Sequence, residues 1–227
     1  MTSVEFQRLC SANGVELDHS QLDSMVAFVQ AITGWNDKIN LISRKDSEHI
    51  WERHILHSVV LLFTINRVNI PLNARIADIG TGGGFPGIPL KICRPDLTVE
   101  LFDSIHKKIA AVNAIIAELA GANNKMQNIH AVCERVEEAS RKKEFAHTFD
   151  AAVARAVAPL DVLARWAHAL VKQGGNLIAL KGGDIKAEIT VAKNIPFVRS
   201  ITSHGLDAFD YPIFKAEQKK IVVVTFR

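Results

Sequence analysis

Residues 77–90, ADIGTGGGFPGIPL, place five glycines and two prolines between an apolar, strand-like approach and a helix-like exit. Glycine is costly inside regular elements, so such a run is explained where the backbone must turn sharply and come close to something. Amides at a helix N-terminus would then face a ligand with no Cβ in the way. Gly82, Gly84 and Gly87 satisfy G-x-G-x-x-G between the strand pattern and the helix pattern. Pro86 suits an early helical position, where its missing N–H matters least. The same glycine pattern also occurs in ligand-free turns, so the flanking sequence decides its meaning.

That flanking sequence has two textures. The first 70 residues read as helical: Ser3 is placed to cap a short helix ending near Gly14, and SQLDSMVAFVQAI puts Leu22, Met25, Val26, Val29 and Ile32 on one face. A second amphipathic stretch, EHIWERHILHSVVLLF, follows the connector NLISRKD. From Arg75 onward, short β-branched runs (RIADI, TVELFD, NIHAV, FDAAVA, NLIAL) alternate with helix patterns, and KKIVVVTF closes the chain as a strand. This alternation predicts an α/β fold with a mainly parallel sheet covered by helices on both faces. Residues 1–70 are expected to form a helical extension packed on a main domain, residues 71–227. With 227 residues and 48% apolar content, one substantial core accounts for the whole chain. Cys10, Cys93 and Cys133 form no C-x-x-C pair, and their odd number argues against a disulfide framework. Cys133 reads as a buried structural thiol. No secretory leader or bilayer-spanning run is apparent, so a cytoplasmic, membrane-free protein is expected. The net charge of +3 means that a polyanion would be met by local basic clusters rather than by a strong global field.

The residue that gives the loop a chemical meaning is Asp103, at the end of the strand after it. An acid about 20 residues beyond such a loop accepts hydrogen bonds from the two hydroxyls of a ribose, which indicates an adenosine-type cofactor. NAD and S-adenosylmethionine both use this architecture. Asp78, two residues before Gly80, resembles motif I of the class I methyltransferases; the alternative is an acid that caps the loop's own amides. No G-x-x-x-x-G-K-[ST] is present. The sequence after the fourth strand, VARAVAPLD, lacks the [N/D/S]-P-P-[Y/F/W] motif of amine methylation, and no cysteine sits where cytosine-C5 or uracil-C5 enzymes need a nucleophile.

ADIGTGGGFPGIPL, RPDLTVELFDSIHKK, CERVEE, FDAAVARAVAPL and ALKGG, preceded by INLIS and RHILHS, resemble the bacterial ribosomal RNA small-subunit methyltransferase G family, also called glucose-inhibited division protein B. The resemblance runs over roughly residues 35–185. It implies a class I, Rossmann-like methyltransferase with a seven-stranded sheet. The implied reaction transfers a methyl group from S-adenosyl-L-methionine to N7 of a guanine in the 530 loop of 16S ribosomal RNA, guanine-527, leaving S-adenosyl-L-homocysteine. By matching position, Gly80 and Phe85 line the cofactor site with Asp78, Gly82, Gly84 and Asp103. Val136 and Glu137 sit near the adenine, and Arg155 stands between cofactor and acceptor as the catalytic residue. His57 departs from the acid that relatives carry in RHILDS, and SRKKEFAHT, residues 140–148, reads as an insertion beside the site.

Guanine N7 has an in-plane lone pair that is free at neutral pH, so the reaction needs alignment of sulfur, methyl and N7 rather than a base. Arg155 is suited to hold O6 or a phosphate through its planar fork, the alternative being a structural salt bridge to Asp150 or Asp161. Candidates for the RNA face are Arg44, Lys45, Arg53 and His54 before the sheet, His106, Lys107 and Lys108 after Asp103, and Lys181 in ALKGG. Each also reads as an ordinary solvated cation. Asn40 of NLIS is placed at a hinge or a turn. His49, His54 and His57 have no familiar zinc spacing, so no metal is expected. The expected partner is 16S ribosomal RNA, with the assembled small subunit as the better substrate. A nicotinamide-dependent oxidoreductase would share the glycine loop and Asp103, and a noncatalytic RNA-binding factor would use the basic clusters alone.

Overall fold

The computed structural model describes every residue except Arg44, Arg67 and Ala156, together with the side chain of Asn124. Helix α1 (Ser3–Ala12) opens with a capping box in which the Thr2 hydroxyl accepts from the Glu5 amide and the Glu5 carboxylate accepts from the Thr2 amide. The cap is therefore Thr2, and Ser3 is the first helical residue. Helix α2 (His19–Asn36) begins in the same way with Asp18 and Gln21. Its buried face is Gln21, Ser24, Met25, Phe28 and Ile32, whereas Val26 and Val29 are only half-buried. The face is rotated from the expected stripe because Gln21 has a polar task inside: its Nε2 donates to the carbonyls of Ile92 and Cys93 at 2.9 and 3.0 Å, finishing a later helix end.

The second amphipathic stretch is not one helix. It runs as a 3₁₀ turn (Ser47–His49), a π-helical segment (Trp51–Leu56), the short α3 (His57–Val59) and a further 3₁₀ turn (Val60–Leu62). Beyond it come β1 (Arg75–Ile79), α4 (Gly87–Cys93), β2 (Thr98–Asp103), α5 (His106–Ala122), β3 (Ile129–Cys133), α6 (Val136–Ala139), β4 (Phe149–Arg155), α7 (Leu160–Leu170) and β5 (Val171–Gly182). The chain ends with α8 (Lys186–Lys193), β6 (Val198–Gly205), α9 (Ile213–Ala216) and β7 (Lys219–Phe226).

The described residues form a seven-stranded sheet of order β3-β2-β1-β4-β5-β7-β6, in which β7 is antiparallel to both β5 and β6. The expected mainly parallel sheet is therefore found. Strand β6 has no sequence counterpart because it is an edge strand, VRSITSHG, with mostly exposed side chains. Alternation along the strands feeds two cores. Ile76, Val99, Leu101, Val153 and Ile178 pack toward α2, α4 and α5, while Ala77, Phe102, Ala152 and Leu177 pack toward α7. The strand order reverses between β1 and β4, which opens a crevice at their carboxyl ends.

Two expectations on this sheet need correction. Cys133 is exposed, because β3 is the outer strand and the residue lies at its end. Residues 140–148 precede β4 and so lie at the amino end of the strand, away from the crevice. There Phe145 packs edge-on against Phe102 and Thr148 accepts from Arg75 at 2.8 Å.

The N-terminal helices share the first core with the sheet, and polar clips also bind them to the C-terminal residues. Asn66 Nδ2 donates to the carbonyls of Val60 and Asp207, both at 2.9 Å, and its Oδ1 accepts from the Asp207 amide at 3.0 Å. Asn13 pairs with both backbone groups of Phe209 in the same manner. Asn66 is almost fully buried. Asn66→Ala is expected to lower stability by about 2–4 kcal/mol, since it leaves buried backbone groups without partners. Urea denaturation checks this, and an unchanged midpoint would contradict the role.

Candidate active site

The glycine loop is organised from beneath by Asp78. This carboxylate is fully buried near the end of β1, and its Oδ2 accepts from the Thr81 hydroxyl at 2.7 Å and from the Gly87 amide at 2.8 Å. Asp78 is thus the acid that caps the loop's own groups, and it does not reach the open crevice. Gly87 allows this closure: a Cβ there would stand 2.1 Å from Leu101 Cδ2 and 2.8 Å from Asp78 Oδ2. Gly82 is the opposite case. It has φ +58°, and a Cβ there would meet nothing within 4 Å, so the space above its backbone is open. Its amide donates to Asp103 Oδ2 at 3.1 Å, and Asp103 Oδ1 accepts from the Ile105 amide at 2.9 Å. Pro86 caps α4 instead of starting it.

Arg155, the last residue of β4, points across the same crevice. Its Nη1 donates to the Arg53 carbonyl at 3.0 Å, its Nη2 to His54 Nδ1 at 2.8 Å, and its guanidinium lies 4.9 Å from the centre of the Phe85 ring. The expected alternative, an ion pair with Asp150 or Asp161, is not what forms: Asp150 pairs with Lys172. Because arginine only donates, His54 Nδ1 must accept, which fixes the ring as its Nε2–H tautomer. Burial and the adjacent Arg155 charge push His54 down to about 4 and His57 down to about 3. Burial pushes Asp78 up to about 7, against the hydrogen bonds from Thr81 and Gly87.

A cavity of about 970 Å³ joins these groups. Gly80, Gly82 and Phe85 line its loop side together with Arg155, while Arg53, His54 and His57 come from the π-helical turn and α3. Leu41 and Ile42 complete this side, held by Asn36, whose Oδ1 accepts from both of their amides at 2.8 and 2.9 Å. The turn-forming asparagine is therefore Asn36; Asn40 is exposed. Tyr211, Ile213 and Phe214, from the connection before β7, also line the cavity and were not foreseen, because no motif marks the segment that carries them; Lys219, the first residue of β7, lines it beside them. Gly84, Asp103, Val136 and Glu137 are not on this cavity. Gly84 faces Ile88, and the other three lie at or beyond the carboxyl ends of β2 and β3.

The basic candidates divide. Arg44 lies outside the described residues. Lys45 and Lys107 are exposed and Lys108 is half-buried in the first turn of α5. Arg53 pairs with Asp46 at the cavity edge. His54 is buried and held neutral, so it is not a cation presented to RNA. Lys181 is committed inside the protein: its Nζ donates to the Ala158 carbonyl and to Glu188 Oε2, both at 2.7 Å, and Glu188 also accepts from the Leu160 amide. It is neither a backbone-phosphate contact nor a solvated lysine. Among the described residues no group of His, Cys, Asp and Glu side chains is arranged to hold a metal ion.

These shifts give a pH dependence with a definite sign. Between pH 6.5 and about 4 the unfolded chain protonates both histidines while the folded rings stay neutral, so this pair loses stability as the pH falls. Asp78 acts oppositely, holding a proton in the folded state between 3.8 and about 7. The net of one proton corresponds to about 1 kcal/mol lost per pH unit from pH 6 down to 4.5. His57→Gln should flatten that slope, as read from urea midpoints across the range. An unaltered slope would mean that the ring is not held neutral.

A family model described as GidB, rRNA small subunit methyltransferase G, matches residues 21–222. The chain is 41% identical over 223 residues to the ribosomal RNA small subunit methyltransferase G of Pelodictyon phaeoclathratiforme, covering 96% of this chain and 91% of that one. It is 37% identical over 222 residues to the protein of the same name from Chlorobium luteolum, with 96% and 87% covered. Among solved structures, a predicted O-methyltransferase from Agrobacterium tumefaciens superposes with a TM-score of 0.59 at 17% identity, over 76% of this chain and 80% of that one. The tRNA methyltransferase TrmI from Aquifex aeolicus gives 0.54 at 13%, over 76% and 68%. These two likenesses identify the fold. With its glycine loop, β4 arginine and sheet order in place, and with relatives matched over nearly their whole length, the chain belongs to the rRNA small subunit methyltransferase G family.

Proposed function

We propose that this protein transfers the sulfonium methyl group of S-adenosyl-L-methionine to N7 of a guanine in the 530 loop of 16S ribosomal RNA. The observation that carries the reading is that the open face of the glycine loop and the Arg155 guanidinium share one cavity at the switch point of the sheet. The cofactor fits the residues present: the space over Gly82 is clear of side chains, and Asp103 keeps lone pairs for ribose hydroxyls after accepting from Gly82 and Ile105. Gly80, Gly82 and Phe85 would hold its methionine half. Val136 and Glu137 would border the adenine.

The cofactor supplies an electrophilic methyl group; the chain supplies alignment. Arg155 is fixed on one side by Arg53 and His54 and from below by the Phe85 ring, so its geometry is set before the base arrives. A fixed fork of donors orients guanine O6 so that the N7 lone pair lies in line with the transferred carbon. Such preorganisation suits a reaction in which no proton must be removed beforehand. The exposed Lys45 and Lys107 would meet phosphates, and an ordered RNA surface, as in the assembled small subunit of the bacterial cytoplasm, would present phosphates at fixed positions. No helix is long and apolar enough to cross a membrane. Family membership leaves the oxidoreductase and the noncatalytic RNA-binding factor without a supporting observation.

Asp103→Ala removes the ribose acceptor and should weaken S-adenosylmethionine binding about ten- to a hundredfold by calorimetry. Unchanged affinity in the folded variant would reject that assignment. Arg155→Lys keeps the charge but loses the fork, along with the simultaneous bonds to Arg53 and His54. Its turnover on purified small subunits should fall at least about tenfold while cofactor affinity is retained. Normal turnover would remove Arg155 from the acceptor side, and lost cofactor binding would move it to the cofactor side.

A further inference from the structure

Part of the cavity lining comes from the connection between β6 and β7, and its chemistry differs from the rest. Tyr211, Ile213 and Phe214 present rings and an aliphatic branch, where the rest of the lining presents loop backbone and a mixture of acids and cations, among them Asp46, Glu52, Arg53 and Arg155. Phe85 and Phe214 also line the cavity but are only 2% and 3% exposed. Phe85 is covered by Arg155 and His54, and Phe214 by His57 and Tyr211. Among the described phenyl and phenol rings of the cavity, Tyr211 is the half-buried one, with surface left for a ligand.

The mounting of this ring is rigid. Buried Asn13 and Asn66 each clip the segment by two-point amide pairing, to Phe209 and Asp207. Asp210 holds a left-handed φ of +63° immediately before the tyrosine, a conformation that aspartate tolerates better than most residues. Next to the ring, apolar surface is left in water: Ile213 is 46% exposed on the cavity and Phe209 is 68% exposed two residues before Tyr211. A held aromatic flanked by exposed apolar groups, in the same cavity as the Arg155 guanidinium, matches what an unstacked nucleobase binds, a flat π face with apolar surface beside it. Burial, with Glu52 and Glu217 nearby, pushes the phenol up to about 12, so the ring meets a base uncharged.

Taking the guanine-N7 reading above as the reaction, we propose that Tyr211 is an RNA-binding residue, the platform on which an unstacked base of the substrate rests within the cavity that Arg155 also lines. Tyr211 touches the RNA and not the cofactor, so its loss separates the two bindings.

The test uses the full-length protein with purified small ribosomal subunits, measuring methyl-transfer KM and kcat, and S-adenosylmethionine affinity by calorimetry. Tyr211→Ala and Tyr211→Leu should each raise KM for the subunit at least about tenfold with cofactor affinity unchanged. The leucine variant keeps apolar volume in the wall and guards against a mere cavity effect. Tyr211→Phe should stay within about twofold of the parent, as should Leu72→Ala, which removes an exposed apolar side chain from the opposite end of β1. If the leucine variant retains the parent KM, or if the phenylalanine variant loses as much as alanine, the stacking role is overturned while the reaction stands. A parent protein that binds the cofactor but methylates no subunit would overturn the reaction assigned above and this role with it.

Discussion

One buried carboxylate holds the site in shape. Asp78, next to last in β1, has no access to water, and a single oxygen of it gathers the Thr81 hydroxyl and the first amide of α4. The loop is thereby tied near its start and at its exit to the strand that launches it. The turn must close over this oxygen, and only a residue without Cβ lets the backbone pass between Asp78 and Leu101 at Gly87. The glycines therefore divide their work, some letting the protein pack against itself and Gly82 leaving open space toward the cavity. A polar group buried with one unpartnered oxygen, Asp78 Oδ1, is costly, and it sits under the Arg155 charge, which favours its ionised form.

From the loop, order passes outward through rings. Phe85 packs 5.3 Å from Phe28 of α2 on one side and 5.0 Å from His54 on another, and carries the Arg155 guanidinium above it. The helical N-terminal part is thus the back support of the site as well as a lid on the core. Burying Phe28 completely contributes about 1.5–3 kcal/mol, and tilted ring pairs add about 0.5–1.5 kcal/mol beyond their area. The same contacts that stabilise the fold keep the arginine from wandering, so stability and alignment share residues here.

The polar positions that the sequence misplaced were misread for one physical reason. A lysine or histidine in a primary sequence is by default a solvated cation, because burying its charge alone is prohibitive. Lys181 is largely withdrawn from water nonetheless, because Glu188, seven residues on, and the Ala158 carbonyl, 23 residues back, both accept from it. His54 is buried because it gives up its charge and accepts from Arg155. Cys133 failed in the other direction: an apolar residue at a strand end faces water when that strand is the outermost one. In the stretch around His54, the apolar period of a single helix was real, but the backbone met the glycine loop by way of a π-helical turn that no pattern of side chains announces.

What the sequence determined by itself is local and periodic. The alternation of short β-branched runs with helical stretches, the glycine loop after β1 and the acid closing β2 are statements about neighbours in the chain, and near-neighbour sterics and hydrogen bonding are enough to specify them. The tertiary structure decided what depends on groups far apart in sequence meeting in one place: that Asp78 serves the loop and not the ligand, and that Arg155 finds His54 and Phe85 instead of an acid. It also decided that the connection before β7 closes the cavity with Tyr211. Burial and partner choice are properties of the packed chain, because the dielectric around a side chain, and hence its charge, is set by whichever segments arrive beside it.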